Sequence, residues 1–178
     1  LKKMEANLDW YKDGVKAVFK AARQNTPSDE ADALGGIVGL LADVIEPAPS
    51  YETAVEAALG ESLQYILVQD QPAGAAAIDY LQQRQEGRCG FIPIGGVRTV
   101  DDRPEKRPRP DERLLNQVKV KEGYESVAEA MLGHVAVVDT LHAARDLYNR
   151  NGRVQTVVTR SGDLLSHQGV LIGGSADK

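Results

Sequence analysis

Residues able to do chemistry are few and scattered along this sequence. Glu52 with Glu56, and Glu125 with Glu129, are spaced four apart, which on a helix stacks two carboxylates on one face. Such pairs can hold a metal or move a proton, but they recur in segments lacking a partner His, so each reads as a solvated helix face. His134, His142 and His167 share no metal-ligand spacing. Ser166 and His167 are adjacent, but a nucleophile and its base meet in space, and no G-x-S-x-G elbow is present. Cys89 is the single cysteine; it excludes an internal disulfide or a Cys-rich zinc site and reads as a small buried thiol. Gly35-Gly36-Ile37-Val38-Gly39 could pass for a phosphate loop. It lacks G-x-G-x-x-G, the Walker lysine and serine, and a strand–loop–helix order, so it reads as a strand packed closely on another backbone. No constellation supports an enzyme, and no cofactor is expected. The alternative is a small-molecule-binding α/β domain or enzyme, which would need a deep pocket with converging polar groups.

The composition bounds what positions these residues. With 42% apolar and 26% charged residues in 178, the chain has a globular composition long enough to bury a core. Aromatics are only 5%, so that core must be aliphatic, and 17 glycines imply many tight turns or close backbone approaches. A net charge of −5 excludes a histone-like basic protein but not a local basic patch. No apolar run reaches a membrane span and no signal peptide is evident, so a soluble, cytoplasmic protein without membrane contact is expected.

The most informative feature is an internal repeat. Tyr51-Glu52-Thr53-Ala54-Val55-Glu56-Ala57-Ala58-Leu59-Gly60 matches Tyr124-Glu125-Ser126-Val127-Ala128-Glu129-Ala130-Met131-Leu132-Gly133 at six of ten positions, 73 residues apart. Ile66–Asp70 is echoed by Val135–Asp139, and Ala76, Leu81 and Gly87-Arg88 by Ala144, Leu147 and Gly152-Arg153. Each copy reads as a short helix ending at Leu-Gly, then a β-branched strand ending in Asp, then a second helix and a second strand. Gly60 and Gly133 suit the left-handed C′ position. Asp70 and Asp139 suit N-caps. Ile78 with Leu81, and Leu141, Ala144 and Leu147, give the second helices an apolar face, and these helices should stop at Gly87 and Gly152. The strands follow at Cys89–Ile94 and Val154–Thr159. The expected fold class is α/β (α+β): two pseudo-repeated small α/β lobes preceded by a helical segment.

Residues 1–24 read as helix, with Leu8, Val15, Val18, Phe19 and Ala22 on one face and Gly14 as a local cost of about 1 kcal/mol. The segment starts without a helix cap, so the chain is expected to be a fragment of something longer. The expected division is a helical segment at 1–30, lobe one at 31–100, a Pro/Arg-rich linker at 101–115 and lobe two at 116–178. Gly36–Ile45 reads as one apolar strand. Eight bases against five acids over residues 98–121 leave a local charge of +3; this reads as a solvated linker, with nucleic-acid contact as the sharper possibility. Ser161-Gly162-Asp163 reads as a hairpin turn into a strand near Leu164–Ser166. Beyond it, Gly169, Gly173 and Gly174 flank the apolar run Val170-Leu171-Ile172. Glycine weakens a strand unless the space or the dihedrals are needed, so this cluster points to close backbone approach at an interface.

These residues resemble a known family. Gly36–Ile45 followed by Tyr51–Gly60 is similar to the opening of the hinge domain of SMC (structural maintenance of chromosomes) proteins. Gly87-Arg88 with Phe91-Ile92-Pro93-Ile94 resembles the strand closing its first lobe. Asp163-Leu164-Leu165-Ser166 with Gly169-Val170-Leu171-Ile172-Gly173-Gly174-Ser175 resembles its closing signature. The resemblance covers about residues 35–175, is of bacterial flavour, and makes residues 1–24 similar to the end of a coiled-coil arm. It implies a homodimer in which lobe one of one chain meets lobe two of the other, joining two arms in a two-fold ring. It places Gly169, Val170, Ile172, Gly173 and Gly174 at the dimer contact. It also implies weak, sequence-independent DNA contact, for which Lys12, Lys16, Lys20, Lys119 and Lys121 are the candidates. In that family the ATP-binding heads lie elsewhere, and the whole protein acts in chromosome condensation and segregation at the nucleoid.

Overall fold

The computed structural model describes residues 13–23, 34–99, 107–150 and 155–174. Lys12, residue 100, residues 101–106 of the expected linker and Gly152 lie outside the described residues. The chain divides into two compact units, Leu1–Val44 with Glu61–Val97, and Ile45–Gly60 with Arg98–Lys178. Residues 45–60, expected within lobe one, therefore group with the second unit. Among the described residues no helix is long and apolar enough to cross a membrane.

The first unit holds α1 (Asp13–Arg23), β1 (Ile37–Leu40), the single turn α2 (Leu41–Val44), β3 (Ile66–Val68), α4 (Gln71–Arg84) and β4 (Phe91–Pro93). Its sheet runs β1-β3-β4, antiparallel then parallel. The strand expected over Gly36–Ile45 is broken: after Leu40 the chain makes one helical turn before re-entering extended structure at Ile45. The break buries Leu41, Ala42 and Val44 together, which a continuous strand with alternating side chains could not do. The core gathers Val15, Val18, Leu34, Leu40, Ile66, Val68, Ala77, Tyr80 and Leu81. It is aliphatic but for one tyrosine, as the composition requires. Val15 and Val18 belong to this core, so the described part of the N-terminal helix, α1, packs on the first unit.

The α4 helix starts where Asp70 Oδ1 accepts from the Ala73 amide at 2.9 Å, the N-cap expected there. Its buried face is Gly74, Ala77, Tyr80 and Leu81, whereas Ile78 is exposed. The helix ends two residues before the expected Gly87, with Gln85 in the left-handed region at φ 53°. Gly87, at φ 94°, serves a different purpose: it and Gly14 clear the way for α1 to cross the 87–88 backbone. A Cβ on Gly14 would sit inside the Arg88 carbonyl. The helix-weakening glycine is thus a packing requirement.

The second unit holds β2 (Ile45–Pro47), α3 (Glu52–Leu59), β5 (Val118–Val120), α5 (Glu125–Leu132), β6 (Val135–Val138), α6 (Leu141–Arg150), β7 (Thr156–Thr159), β8 (Leu164–Leu165) and β9 (Leu171–Ile172). β2 and β5 form an antiparallel ribbon, and the main sheet runs β6-β7-β8-β9. α3 packs against α5 and β7, and α6 against β6 and β7. β6, α6 and the parallel strand β7 repeat the grammar of β3, α4 and β4. Ala136, Ala144, Leu147 and Val157 form a core beneath α6. The cap of α6 is Thr140, whose Oγ1 accepts from Ala143 at 3.1 Å, and not the preceding Asp139. That shift by one residue leaves Leu141 exposed. Neither glycine takes the expected left-handed C′ conformation: Gly60 has positive φ (55°) but ψ −127°, and Gly133 stays right-handed at φ −60°.

Candidate functional site

The feature that stands out on the second unit is its last strand. The turn between β7 and β8 is the expected one: Thr159 N donates to Asp163 O at 2.8 Å, and Gly162 adopts φ 100°. β8 then pairs with β9 in the register Leu164↔Ile172 and Leu165↔Leu171. The Ser166–Gly169 turn between them is closed by Gly169 N to Ser166 O at 2.9 Å, with Gly169 at φ 90°, as a hairpin glycine after a tight turn should be. Ser166 Oγ accepts from the Val170 amide at 3.1 Å, and Tyr148 donates from its hydroxyl to His167 O at 3.2 Å. The hairpin tip is therefore tied both to itself and to α6.

This well-fixed hairpin presents apolar side chains to solvent. Val170, Leu171 and Ile172 are 54%, 58% and 61% exposed. Successive strand residues point to opposite faces, so both faces of β9 are uncovered, and no further strand pairs with its outer edge among the described residues. An open apolar edge is a template for strand addition and is seldom left free. The opposite edge of the same sheet is closed, because Arg113 bridges Ala136 and the Val137 amide donates to Glu112 O at 2.7 Å. Leu171, which the resemblance does not place at the dimer contact, is as exposed as its neighbours. The signal for it was the absence of polar alternation across Val170-Leu171-Ile172.

The three glycines divide by cause. Gly169 and Gly174 hold φ 90° and 113°, so the backbone itself demands glycine at both. Gly173 lies against the side chain of Asp163, which a Cβ would displace.

The candidate lysines are divided between the two units. Lys16 is half-buried on α1 of the first unit, where Lys20 also lies, and Lys12 is outside the described residues. Lys119 is exposed on β5 directly opposite Glu46, and Lys121 is exposed just after that strand, next to Glu122.

The remaining chemical candidates are held locally, and His134 Nδ1 is buried without a hydrogen-bond partner. His142 pairs with Asp146 one turn along α6 at 3.4 Å. Cys89 is half-buried and donates to Gly90 O at 3.3 Å; burial pushes its thiol from 9.0 up to about 11, which disfavours the nucleophilic thiolate. Burial, then His167, push His134 below 6.5. Glu52 and Glu56 are exposed, but Glu129 is half-buried and ion-paired with Arg113, so its carboxylate is not a solvated face. Among the described residues no three His, Cys, Asp or Glu side chains stand together as a metal site.

The class defined so far is a two-unit domain of mixed helices and sheets with an internal repeat and an exposed apolar closing strand. The model of the family described as "SMC proteins Flexible Hinge Domain" matches residues 34–148. The chain belongs to the SMC hinge family. It is 33% identical over 180 residues to the chromosome partition protein Smc of Myxococcus xanthus, covering 99% of this chain and 14% of that protein. It is 30% identical over 184 residues to that of Bacillus subtilis, covering 100% of this chain and 15% of that protein. The chain thus spans about one seventh of the length of these relatives. An asymmetric dimer of the Geobacillus stearothermophilus SMC hinge domain matches with a TM-score of 0.79 at 30% identity, covering 99% of this chain and 71% of that chain. The Pyrococcus furiosus SMC hinge domain shares the fold with a TM-score of 0.66 at 24% identity, covering 93% of this chain and 91% of that one.

Proposed function

We propose that this chain is the homodimerisation hinge of a chromosome-organising SMC ATPase, and that β9 is the strand on which a second copy docks. The observation that carries this reading is the exposure of Val170, Leu171 and Ile172 on a hairpin fixed by Ser166, Gly169 and Tyr148. Strand addition would satisfy the free backbone groups of β9, and its three side chains would leave water on both faces. Burying each of them is worth about 1.5–3 kcal/mol. Gly169, Val170, Ile172, Gly173 and Gly174 lie at this contact, with Leu171 beside them. Lobe two of one chain meets lobe one of the other, so a two-fold dimer makes the contact twice and closes on itself. The dimer joins two coiled-coil arms of the full-length protein, which works in chromosome condensation and segregation at the nucleoid, with ATP bound by heads beyond this segment. The matching dimer of a hinge domain at 30% identity supports self-association. Sedimentation equilibrium at micromolar concentration tests the reading: twice 19.3 kDa is expected, and a clean monomer rejects it.

Weak DNA contact through Lys12, Lys16, Lys20, Lys119 and Lys121 belongs to the same proposal. It rests on local basic charge in an acidic protein, and Glu46 opposite Lys119 weighs against a strong site. Binding should fall steeply with added salt; no binding to either single- or double-stranded DNA at low salt rejects it.

A further inference from the structure

The main sheet of the second unit has two edges, and the chain treats them oppositely. β9 is left open, whereas β6 is closed by residues Glu112 and Arg113 arriving from the linker. Glu112 O accepts from the Val137 amide at 2.7 Å, and Arg113 pairs antiparallel with Ala136. This strap has its own anchor. Arg113 Nη2 donates to Glu129 Oε2 on α5, in a pair whose side chains are 18% and 38% exposed. Gly133 makes the anchor fit, since a Cβ there would collide with the Glu129 carboxylate and carbonyl. Leu114, fully buried just after the strap, and Asn116, which donates to Pro110 O at 2.8 Å, fix its two ends. The stretch read from sequence as a solvated linker is, at Glu112 and Arg113, bonded to the edge of the sheet.

We propose that the Glu112–Arg113 strap is an edge guard that keeps β6 from accepting the β9 strand of another copy. A sheet with one open edge can pair only once. A sheet open at both edges could pair β9 of one copy with β6 of the next, a head-to-tail contact that need not close and can run on into chains. The strap thereby limits association to a finite assembly, with Arg113 and Glu129 as positioning residues. This inference rests on the reading of β9 as the docking strand.

The test uses the whole chain and two readouts, amide exchange at Val137 and sedimentation velocity over a range of concentrations. In Arg113→Ala and in Glu129→Ala, Val137 exchange should rise by about ten-fold or more, and species larger than the parent assembly should grow with concentration. Arg113→Glu combined with Glu129→Arg should return both readouts toward the parent. Unchanged Val137 exchange in the single variants overturns the inference. So does fast exchange with no gain in mass, or a charge swap that restores neither readout. A monomeric parent would instead contradict the docking role of β9; the guard role then stands only if exchange and mass both rise in the single variants, and falls if either does not.

Discussion

Glu46 and Lys119 stand directly opposite one another in the β2–β5 ribbon, and they are also equivalent positions of the internal repeat. They are 73 residues apart, the same spacing that separates Tyr51 from Tyr124. The flanking pairs Ile45↔Val120 and Pro47↔Val118 exchange equivalents across the same centre. α3 likewise packs against α5, its counterpart in the repeat. The two copies therefore meet through matching elements inside the second unit, about a local two-fold centred on this pair. This explains why residues 45–60 leave the first unit.

Charge reversal at that centre should be felt and should be reversible. Glu46→Lys places two lysines opposite each other and should lower stability by about 0.2–1 kcal/mol. Adding Lys119→Glu should recover most of that loss. Urea unfolding of the two variants checks this, and equal midpoints for both would show that the pair does not interact.

Much of this architecture is legible in the sequence, because its local chemistry is decisive. Asp70 caps its helix, Ser161–Asp163 turns the chain, and Gly162 takes the positive φ that the hairpin needs. What stays hidden is set by partners distant in sequence. The repeat shows that Tyr51–Gly60 and Tyr124–Gly133 are alike, but not that both helices pack together in one unit. Gly14 looks like a weakness until Arg88 is placed against it. Glu112 and Arg113 look like linker until Val137 and Glu129 are placed beside them. The apolar run Val170-Leu171-Ile172 between glycines is visible in the sequence, but its exposure is set by how β8 and β9 pair.

Gly14→Ala sets two effects against each other. Helix propensity favours alanine by about 1 kcal/mol. The new Cβ, however, would stand inside the Arg88 carbonyl, a backbone atom that cannot rotate away. Steric strain should win, for a net loss of about 1–3 kcal/mol. Denaturant unfolding should show a lower midpoint; a higher one would mean that α1 can lift off the 87–88 backbone without cost.

Acid should weaken the fold through His134. Its half-buried ring is held below 6.5, so the unfolded chain binds a proton that the folded chain resists. The stability from keeping it neutral is present above 6.5 and is lost as pH falls below that value. The unfolding midpoint should therefore drop as pH falls below 6.5, and His134→Asn should flatten part of that slope. An identical slope in the variant would assign the acid sensitivity to other groups.

The docking role of β9 is tested most directly by the mass in solution of Leu171→Glu combined with Ile172→Glu. Both side chains already face solvent, so the monomer fold should survive, with an unchanged circular dichroism spectrum. Two carboxylates at the contact cannot be buried without a large desolvation cost. Sedimentation equilibrium at micromolar concentration should give a dimer for the parent chain and 19.3 kDa for the variant. A folded variant that remains as dimeric as the parent would contradict the assignment of β9 as the strand that joins two copies.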